Sequence, residues 1–183
     1  MKNTAIRTKI IILLGDITKD HQVEAIVNAA NPQLLGGSGV NGAIQKAAGP
    51  LLLQECIKIG GCPVGHAKIT SAYKLPCNYV IHTPGPIYSA NNTQQAHLLA
   101  MCYMNCLHLA QIHHIHSLAF PSISTGIYGY PIEQACQIAL KTVWEYVNKH
   151  PYVFEKILFI LFDATTYEAY CKTAKKLNIP VTE

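Results

Sequence analysis

Charged residues are scarce in this sequence. Of its 183 residues, 13% are Asp, Glu, Lys or Arg, about half of the roughly 25% found in an average soluble domain. No run of Lys and Arg exceeds the pair Lys175-Lys176, and the net charge is +4. A duplex-binding domain needs a clustered basic stripe. We therefore expect no sequence-specific nucleic-acid partner, but a mild attraction for small anions.

Long apolar runs and paired cysteines are also missing. The run Ile10-Ile11-Ile12-Leu13-Leu14 is too short to span a bilayer and has no signal-peptide cleavage site after it. The seven cysteines are odd in number and include no C-x-x-C pair, which is typical of reduced thiols. We expect a cytoplasmic protein without a membrane partner, and predict a monomer that forms one domain over residues 1–183.

Chain-dividing features are absent too: there is no internal repeat, low-complexity tract or Pro/Ser-rich linker. Apolar runs alternate with segments of helical spacing, which favours a three-layer α/β/α sandwich around a largely parallel sheet. Strands are predicted at residues 9–14, 25–28, 68–72, 79–83, 117–120 and 156–162. Helices are predicted at residues 40–59, 93–111 and 166–177, with another whose first turn contains Pro131.

Two glycine-rich stretches, residues 35–42 and 122–129, carry the strongest functional signal. Each comes after a predicted strand and leads into a predicted helix, so its backbone N–H groups and a helix N-terminus should face a common crevice. Such an arrangement holds phosphate without lysine. Because ligands bind at the carboxyl ends of parallel strands, two such loops predict a diphosphate held from both sides.

Other interpretations of the glycines exist. Gly37-x-Gly39-x-x-Gly42 matches the dinucleotide fingerprint, but several residues separate it from the preceding strand, and Glu55 lies in a helical segment rather than at a strand end. The glycines could also serve tight turns alone. A P-loop is excluded because no G-x-x-x-x-G-K-[ST] sequence occurs.

Polar and aromatic residues at predicted strand ends allow two interpretations each. Asn28 and Asn31 could cap turns or hold ribose hydroxyls. Asp16 could cap a helix or accept a hydrogen bond from an adenine amino group. Phe162, followed by Asp163, could belong to the core or stack on a base. The histidines of His113-His114-x-His116 lack a fourth ligand at recognisable spacing, so we predict no metal and no cofactor.

Five blocks in order carry a resemblance to a known family. The sequence resembles macrodomains, and most closely the MacroD-type ADP-ribose hydrolases, over about residues 9 to 170. The resemblance implies a crevice for ADP-ribose above a mixed six-stranded sheet. The blocks are Gly15-Asp16-Ile17-Thr18, residues 25–31 (AIVNAAN), residues 36–44 (GGSGVNGAI), residues 81–86 (IHTPGP) and residues 120–131 (FPSISTGIYGYP).

The resemblance also implies the role of each ligand-binding residue. Asp16 and Ile17 would contact adenine, with Phe162 and Asp163 beside it. Asn31 would bind the distal ribose, with Tyr128 packing beside it, and Asn28 would hold a ribose hydroxyl or a water at the crevice floor. The diphosphate would be held by the backbone of two segments, namely Gly37, Ser38, Gly39 and Val40 in the first, and Ser124, Thr125, Gly126, Ile127 and Tyr128 in the second.

The implied reaction is release of mono-ADP-ribose from modified protein side chains, acidic ones above all, with O-acetyl-ADP-ribose as a further substrate. Its partners are then ADP-ribose and ADP-ribosylated proteins. Asn31, Asn41 and Tyr128 are expected at the reaction centre. MacroD-type hydrolases commonly carry aspartate where this chain has Asn41, and an amide orients water but accepts no proton at neutral pH. Two hypotheses follow: a hydrolase assisted by the substrate's own phosphate, or a reader that binds without turnover.

Overall fold

The computed structural model describes residues 8–183, so the first seven residues of the predicted 1–183 domain lie outside the described residues. In the part described, six strands and five helices alternate much as the apolar pattern predicts. The strands are β1 Lys9–Leu14, β2 Ala25–Ala30, β3 Lys68–Ser71, β4 Tyr79–Pro84, β5 Ser117–Phe120 and β6 Lys156–Leu161. The helices are α1 Gly39–Ala48, α2 Pro50–Ile59, α3 Gln95–Ile112, α4 Ile132–Lys149 and α5 Ala164–Lys176.

The six strands form one sheet in the order β1-β6-β5-β2-β4-β3. All neighbours are parallel except β3, which runs antiparallel to β4. Successive side chains of a strand point to opposite faces, so Val27 joins the core under α3, α4 and α5. Its neighbour Ile26 joins the core under α1 and α2. Helices therefore cover both faces, which confirms the predicted α/β/α sandwich with a mixed, largely parallel sheet.

The predicted helix over residues 40–59 is two helices. Gly49 separates them with a φ of 84°, a left-handed value that suits glycine, and Pro50 occupies the first turn of α2. Pro131 was predicted inside a first helical turn, but it lies one position earlier as the N-cap of α4. Both differences have the same origin. A glycine or proline sets the backbone conformation at its own position, whereas the spacing of apolar residues, from which the helices were predicted, does not show where a helix begins or breaks.

The outer edge of β1 is covered by the last residues of the chain. Thr182 forms a parallel bridge with Ile11, and its N–H donates to the Ile10 carbonyl at 3.0 Å. An uncovered strand edge offers unpaired N–H and C=O groups to other chains, so this pairing satisfies part of that edge. Among residues 8–183, every helix is too short or too polar to cross a lipid bilayer.

A single carboxylate fixes the beginning of β5 to the beginning of β2. Glu24 accepts hydrogen bonds from the backbone N–H of His116 at 2.6 Å and of Ser117 at 2.9 Å. We expect Glu24→Ala to lower the free energy of unfolding by about 2 kcal/mol, because two backbone donors lose their charged acceptor and Ser117 is buried. Urea unfolding measures this. Glu155→Ala, which removes an exposed carboxylate, is the control, and an equal loss in both variants would contradict the assignment.

Candidate functional site

The crevice lies at the carboxyl ends of β2, β4 and β5. It is a cavity of about 240 Å³ between loop 1, which comprises residues 31–38 between β2 and α1, and loop 2, which comprises residues 121–131 between β5 and α4. Its lining residues are Ala29, Ala30, Asn31, Gly37, Ser38, Gly39, Val40, Asn41, Gly85, Ser122, Ile123, Ser124, Gly126, Ile127 and Tyr128. Both glycine-rich stretches thus meet at one site, as the sequence predicts.

Unpaired main-chain donors occupy both walls of the crevice. On the loop 1 side, α1 begins at Gly39 without a side-chain cap from Ser38, so the first N–H groups of the helix keep the free positions that every helix N-terminus has. In loop 2, the backbone N–H groups of residues 124–128 have no hydrogen-bond partner within residues 8–183. Both segments contribute to the lining of one cavity, and a helix N-terminus together with a loop of unpaired amides is a typical anion receptor.

Ionised side chains are absent from the lining in the part of the chain that the structure describes. Its fifteen residues include no Asp, Glu, Lys, Arg or His. Attraction for an anion therefore rests on main-chain dipoles and on the positive end of α1. For the same reason, the walls offer no carboxylate or imidazole that could accept a proton from a water molecule.

The loop 2 wall depends on one glycine that directly follows β4. A Cβ added at Gly85 would collide with the Ser124 hydroxyl and lie 2.6 Å from Cγ2 of Ile123, so only glycine lets loop 2 come this close to the end of β4. Ser124 has a φ of 67°, which is rare for a residue with a side chain. It is 6% exposed, and its hydroxyl has no partner among the described residues. A strained backbone conformation that the surrounding structure maintains is typical of ligand-binding loops.

The loop 1 wall is held by two asparagines that bond to the backbone of Leu35. Asn31 accepts from the Leu35 N–H and donates to the Leu35 carbonyl, each at 3.0 Å. Asn41 also donates to that carbonyl, at 2.9 Å. Each amide nitrogen has a second hydrogen, so both residues can still donate to a ligand. Ser38 has a φ of −106°, so the position does not require the left-handed backbone that favours glycine.

The floor of the crevice rests on a buried amide. Asn28 is fully buried, does not line the crevice, and donates to the Asn41 side-chain oxygen at 2.9 Å. The sequence prediction placed Asn28 against a ribose, whereas the structure places it behind Asn41. Thr125 is likewise outside the lining, because its hydroxyl turns back to donate to Ser122 Oγ at 2.9 Å.

The residues predicted around adenine lie together at the ends of β1 and β6, outside the crevice itself. The Gly15 N–H donates to the Leu161 carbonyl at 2.8 Å, so the two strand ends are adjacent. There Phe162 is 80% exposed, although it is aromatic and apolar. Ile17 is instead buried in the core under α1 and α2. An exposed aromatic ring beside a crevice is a stacking surface for a flat ligand.

The two carboxylates of this region differ in what they can do. Asp16 accepts from the Thr18 N–H and hydroxyl through Oδ1 alone, which leaves Oδ2 open. Burial by itself would raise the Asp16 pKa, but the Thr18 hydrogen bonds and the nearby Lys19 and His21 lower it below 3.8. Asp163 uses both oxygens on Thr166 and caps α5, so its side chain is committed to the helix.

Sequence reasoning missed five lining residues: Ala29, Ala30, Gly85, Ser122 and Ile123. All five lie within blocks that carry the resemblance, and all except Ser122 have no functional side-chain group that would single them out. The signal for Gly85 was available, since Pro84-Gly85-Pro86 directly follows an apolar strand. Within residues 8–183, no three His, Cys, Asp or Glu side chains group as metal ligands would.

Comparison with known proteins identifies relatives of the same architecture. The Macro domain family model matches residues 27–139. Human ADP-ribose glycohydrolase MACROD2 is 48% identical over 171 residues, which cover 93% of this chain and 39% of that protein. The O-acetyl-ADP-ribose deacetylase of Klebsiella pneumoniae is 48% identical over 163 residues, 87% of this chain and 92% of the relative.

Solved structures of macrodomains have the same fold as this chain. A mutant macrodomain of Oceanobacillus iheyensis, solved with ADPR, is 41% identical and superimposes with a TM-score of 0.89, covering 98% of this chain and 99% of that one. The family match spans more than half of the chain and includes both loop 1 and loop 2. The chain therefore belongs to the Macro domain family.

Proposed function

We propose that this protein binds ADP-ribose and hydrolyses the bond between mono-ADP-ribose and a modified protein side chain, acidic side chains above all. O-acetyl-ADP-ribose is the second substrate of the same crevice. One observation carries the proposal: two segments with unpaired backbone N–H groups line the same cavity of about 240 Å³. A diphosphate has the charge and the two phosphoryl groups that such a receptor matches.

The nucleotide extends across the strand ends. The ends of β1 and β2 are three strands apart in the sheet order, a distance of about 14 Å at about 4.8 Å per strand. Adenine lies at the β1 end between Asp16 and Phe162, and the diphosphate lies between α1 and loop 2. The distal ribose then lies beside Asn31 and Asn41, with the Tyr128 ring next to it.

Hydrolysis replaces one bond to C1 of the distal ribose with another. The bond from C1 to the carboxylate oxygen of the modified side chain breaks, and a water oxygen bonds to C1 as positive charge develops on the sugar. Asn41 and the diphosphate hold that water in place. Because the crevice lining contains no carboxylate or imidazole, a phosphate oxygen of the substrate accepts the water's proton, and the released side chain leaves as a carboxylate.

A second candidate function is a reader that binds ADP-ribose without turnover. The identity of residue 41 favours it, because the Asn41 amide already uses its oxygen on Asn28 and donates to Leu35, and an amide accepts no proton at neutral pH. Ligand binding and bond cleavage therefore need separate measurements.

The test has two steps. Calorimetric titration compares ADP-ribose with AMP and NAD, and we expect ADP-ribose to bind most tightly because it alone has both the diphosphate and an unblocked distal ribose. A preference for NAD would contradict the proposal. The protein is then incubated with a substrate ADP-ribosylated on glutamate. Release of ADP-ribose supports the hydrolase, whereas an intact modification with measurable ADP-ribose binding assigns the protein as a reader.

Asp16 should set the preference for adenine. Asp16→Asn is expected to weaken ADP-ribose binding about tenfold, because the free acceptor for the adenine amino group becomes a donor. The variant should gain affinity for the hypoxanthine analogue, which has an oxygen in place of that amino group. Since the Asp16 pKa is lowered from its ordinary value, the carboxylate stays ionised at neutral pH, and the selectivity should be constant from about pH 5 to about pH 8. Equal binding of both nucleotides by the wild type would contradict this role.

A further inference from the structure

A chain of hydrogen bonds between side chains runs from loop 1 to β3 beneath the crevice; we call it the amide–imidazole chain. Asn41 Nδ2 donates to the Leu35 carbonyl at 2.9 Å, and Asn28 Nδ2 donates to Asn41 Oδ1 at 2.9 Å. Asn28 Nδ2 also lies 3.1 Å from His82 Nδ1, and His82 Nε2 lies 2.8 Å from Thr70 Oγ1. Asn28, His82 and Thr70 are at most 2% exposed.

The Leu35 carbonyl sets the direction of this chain because it can only accept. Residue 41 must therefore turn its nitrogen toward Leu35 and its oxygen toward Asn28. Asn28 must in turn present its nitrogen to Asn41, and the second hydrogen of that nitrogen points to His82. Reversing either amide would bring two oxygen atoms to about 2.9 Å without a proton between them, which is costly in a buried site.

The same logic fixes the proton on the imidazole. His82 Nδ1 receives the Asn28 N–H and is therefore unprotonated, so Nε2 carries the hydrogen and donates to Thr70 Oγ1. Burial lowers the His82 pKa to about 4, so the ring is neutral at physiological pH. The Cys56 thiol lies 3.9 Å from the same Nε2, and burial raises its pKa, so it adds no charge.

We propose that His82, held as its Nε2–H tautomer by Thr70, is a positioning residue for the crevice: through Asn28 it keeps the Asn41 amide oxygen turned inward and the nitrogen at the crevice wall. The nitrogen lies on the side of Gly37, where an added Cβ would be 3.0 Å from it. Position 41 then presents a donor, and it selects ligand atoms that accept, such as phosphate, ring or ester oxygens.

Thr70→Val tests this assignment because it removes the hydroxyl and keeps the shape of the side chain. Without its acceptor, the buried Nε2–H is unpaired, and this cost offsets the preference that the Asn28 N–H imposes on Nδ1, so the proton moves to Nδ1 in part of the molecules and the hydrogen bond from Asn28 is lost there. Imidazole ¹⁵N spectra should show Nε2 protonated in the wild type and a mixture of tautomers in the variant. The ligand measurement rests on the proposed function: ADP-ribose affinity should fall about tenfold, the cost of one mispaired buried hydrogen bond.

The matched control is Thr83→Val. Thr83 is also a fully buried threonine in the sheet, but its hydroxyl donates to the His66 carbonyl at 2.8 Å, outside the amide–imidazole chain. Its loss should leave the His82 tautomer and the ADP-ribose affinity unchanged. Thr70→Ser, which retains the hydroxyl, should restore both properties to wild-type values.

Three outcomes would overturn the proposal. They are a wild-type His82 protonated on Nδ1, an equal effect of Thr70→Val and Thr83→Val on affinity, and a changed tautomer in Thr70→Val with unchanged affinity. The wild-type spectrum decides the tautomer even if Thr70→Val fails to fold. If the wild type does not bind ADP-ribose, the proposed function fails, while the spectra still decide whether the hydrogen-bond chain exists.

Discussion

Gly85→Ala should cost roughly a hundredfold in ADP-ribose affinity while leaving the protein folded. The φ of Gly85 is not in the left-handed region, so the backbone tolerates alanine; the added methyl group instead collides with Ser124 and Ile123. Forcing an extra carbon into a filled space costs about 1–3 kcal/mol, and loop 2 can relieve the collision by moving outward. That movement separates the amide groups of loop 2 from the diphosphate.

The control for this variant is Gly36→Ala. Gly36 lies in loop 1, where an added Cβ would meet nothing within 4 Å, so its replacement should leave ADP-ribose affinity within about twofold of the wild type. Calorimetry measures affinity, and circular dichroism with thermal unfolding checks that both variants fold. Wild-type affinity in folded Gly85→Ala would show that the position of loop 2 does not matter for binding.

Ser38→Asp should change stability and binding in opposite directions. Ser38 precedes α1 with extended backbone angles but makes no side-chain cap. An aspartate there can cap the free N–H groups and interact with the positive end of the helix, which raises the free energy of unfolding by about 0.5 kcal/mol. The same carboxylate occupies the site for the anion and repels it, so ADP-ribose affinity should fall roughly a hundredfold.

Ser38→Asn separates charge from capping. Asparagine caps helices about as well as aspartate but carries no charge, so this variant should keep much of the stability gain and lose far less affinity. Urea unfolding and calorimetry on the same preparations provide both values. If Ser38→Asp and Ser38→Asn bound ADP-ribose equally well, the negative charge at the α1 N-terminus would be irrelevant, and the diphosphate would have to lie elsewhere.

The strands could be predicted because their residues are apolar on both sides. The predictions for β1 and β5 match at both ends, and β6 ends one residue earlier than predicted. The Gly49-Pro50 break was missed since the apolar pattern of residues 40–59 continues through it. The strands and the glycine-rich loops could thus be predicted because each is marked by residues that are neighbours in the sequence.

The site was harder to predict where residues distant in sequence approach one another. Gly85 is required by Ser124, which lies 39 positions later, and no local pattern reveals that contact. Asn28 has the right chemistry for a ribose, but its neighbours Asn41 and His82 use its nitrogen inside the protein. His82 contacts both Asn28 and Thr70, and the direction of those hydrogen bonds can be assigned only once the position of the Leu35 carbonyl is known.

A receptor made of peptide N–H groups limits how evolution can adjust it. Substituting a residue changes its side chain but leaves its amide in place, so no single exchange in residues 124–128 deletes a donor except one to proline. In such a protein, a substitution changes the affinity mainly when its side chain moves the backbone. Residues that do not contact the nucleotide can therefore control how tightly it binds. Among orthologues, substitutions at residues that support the loops should therefore change the affinity for the nucleotide more readily than substitutions at residues that line the crevice.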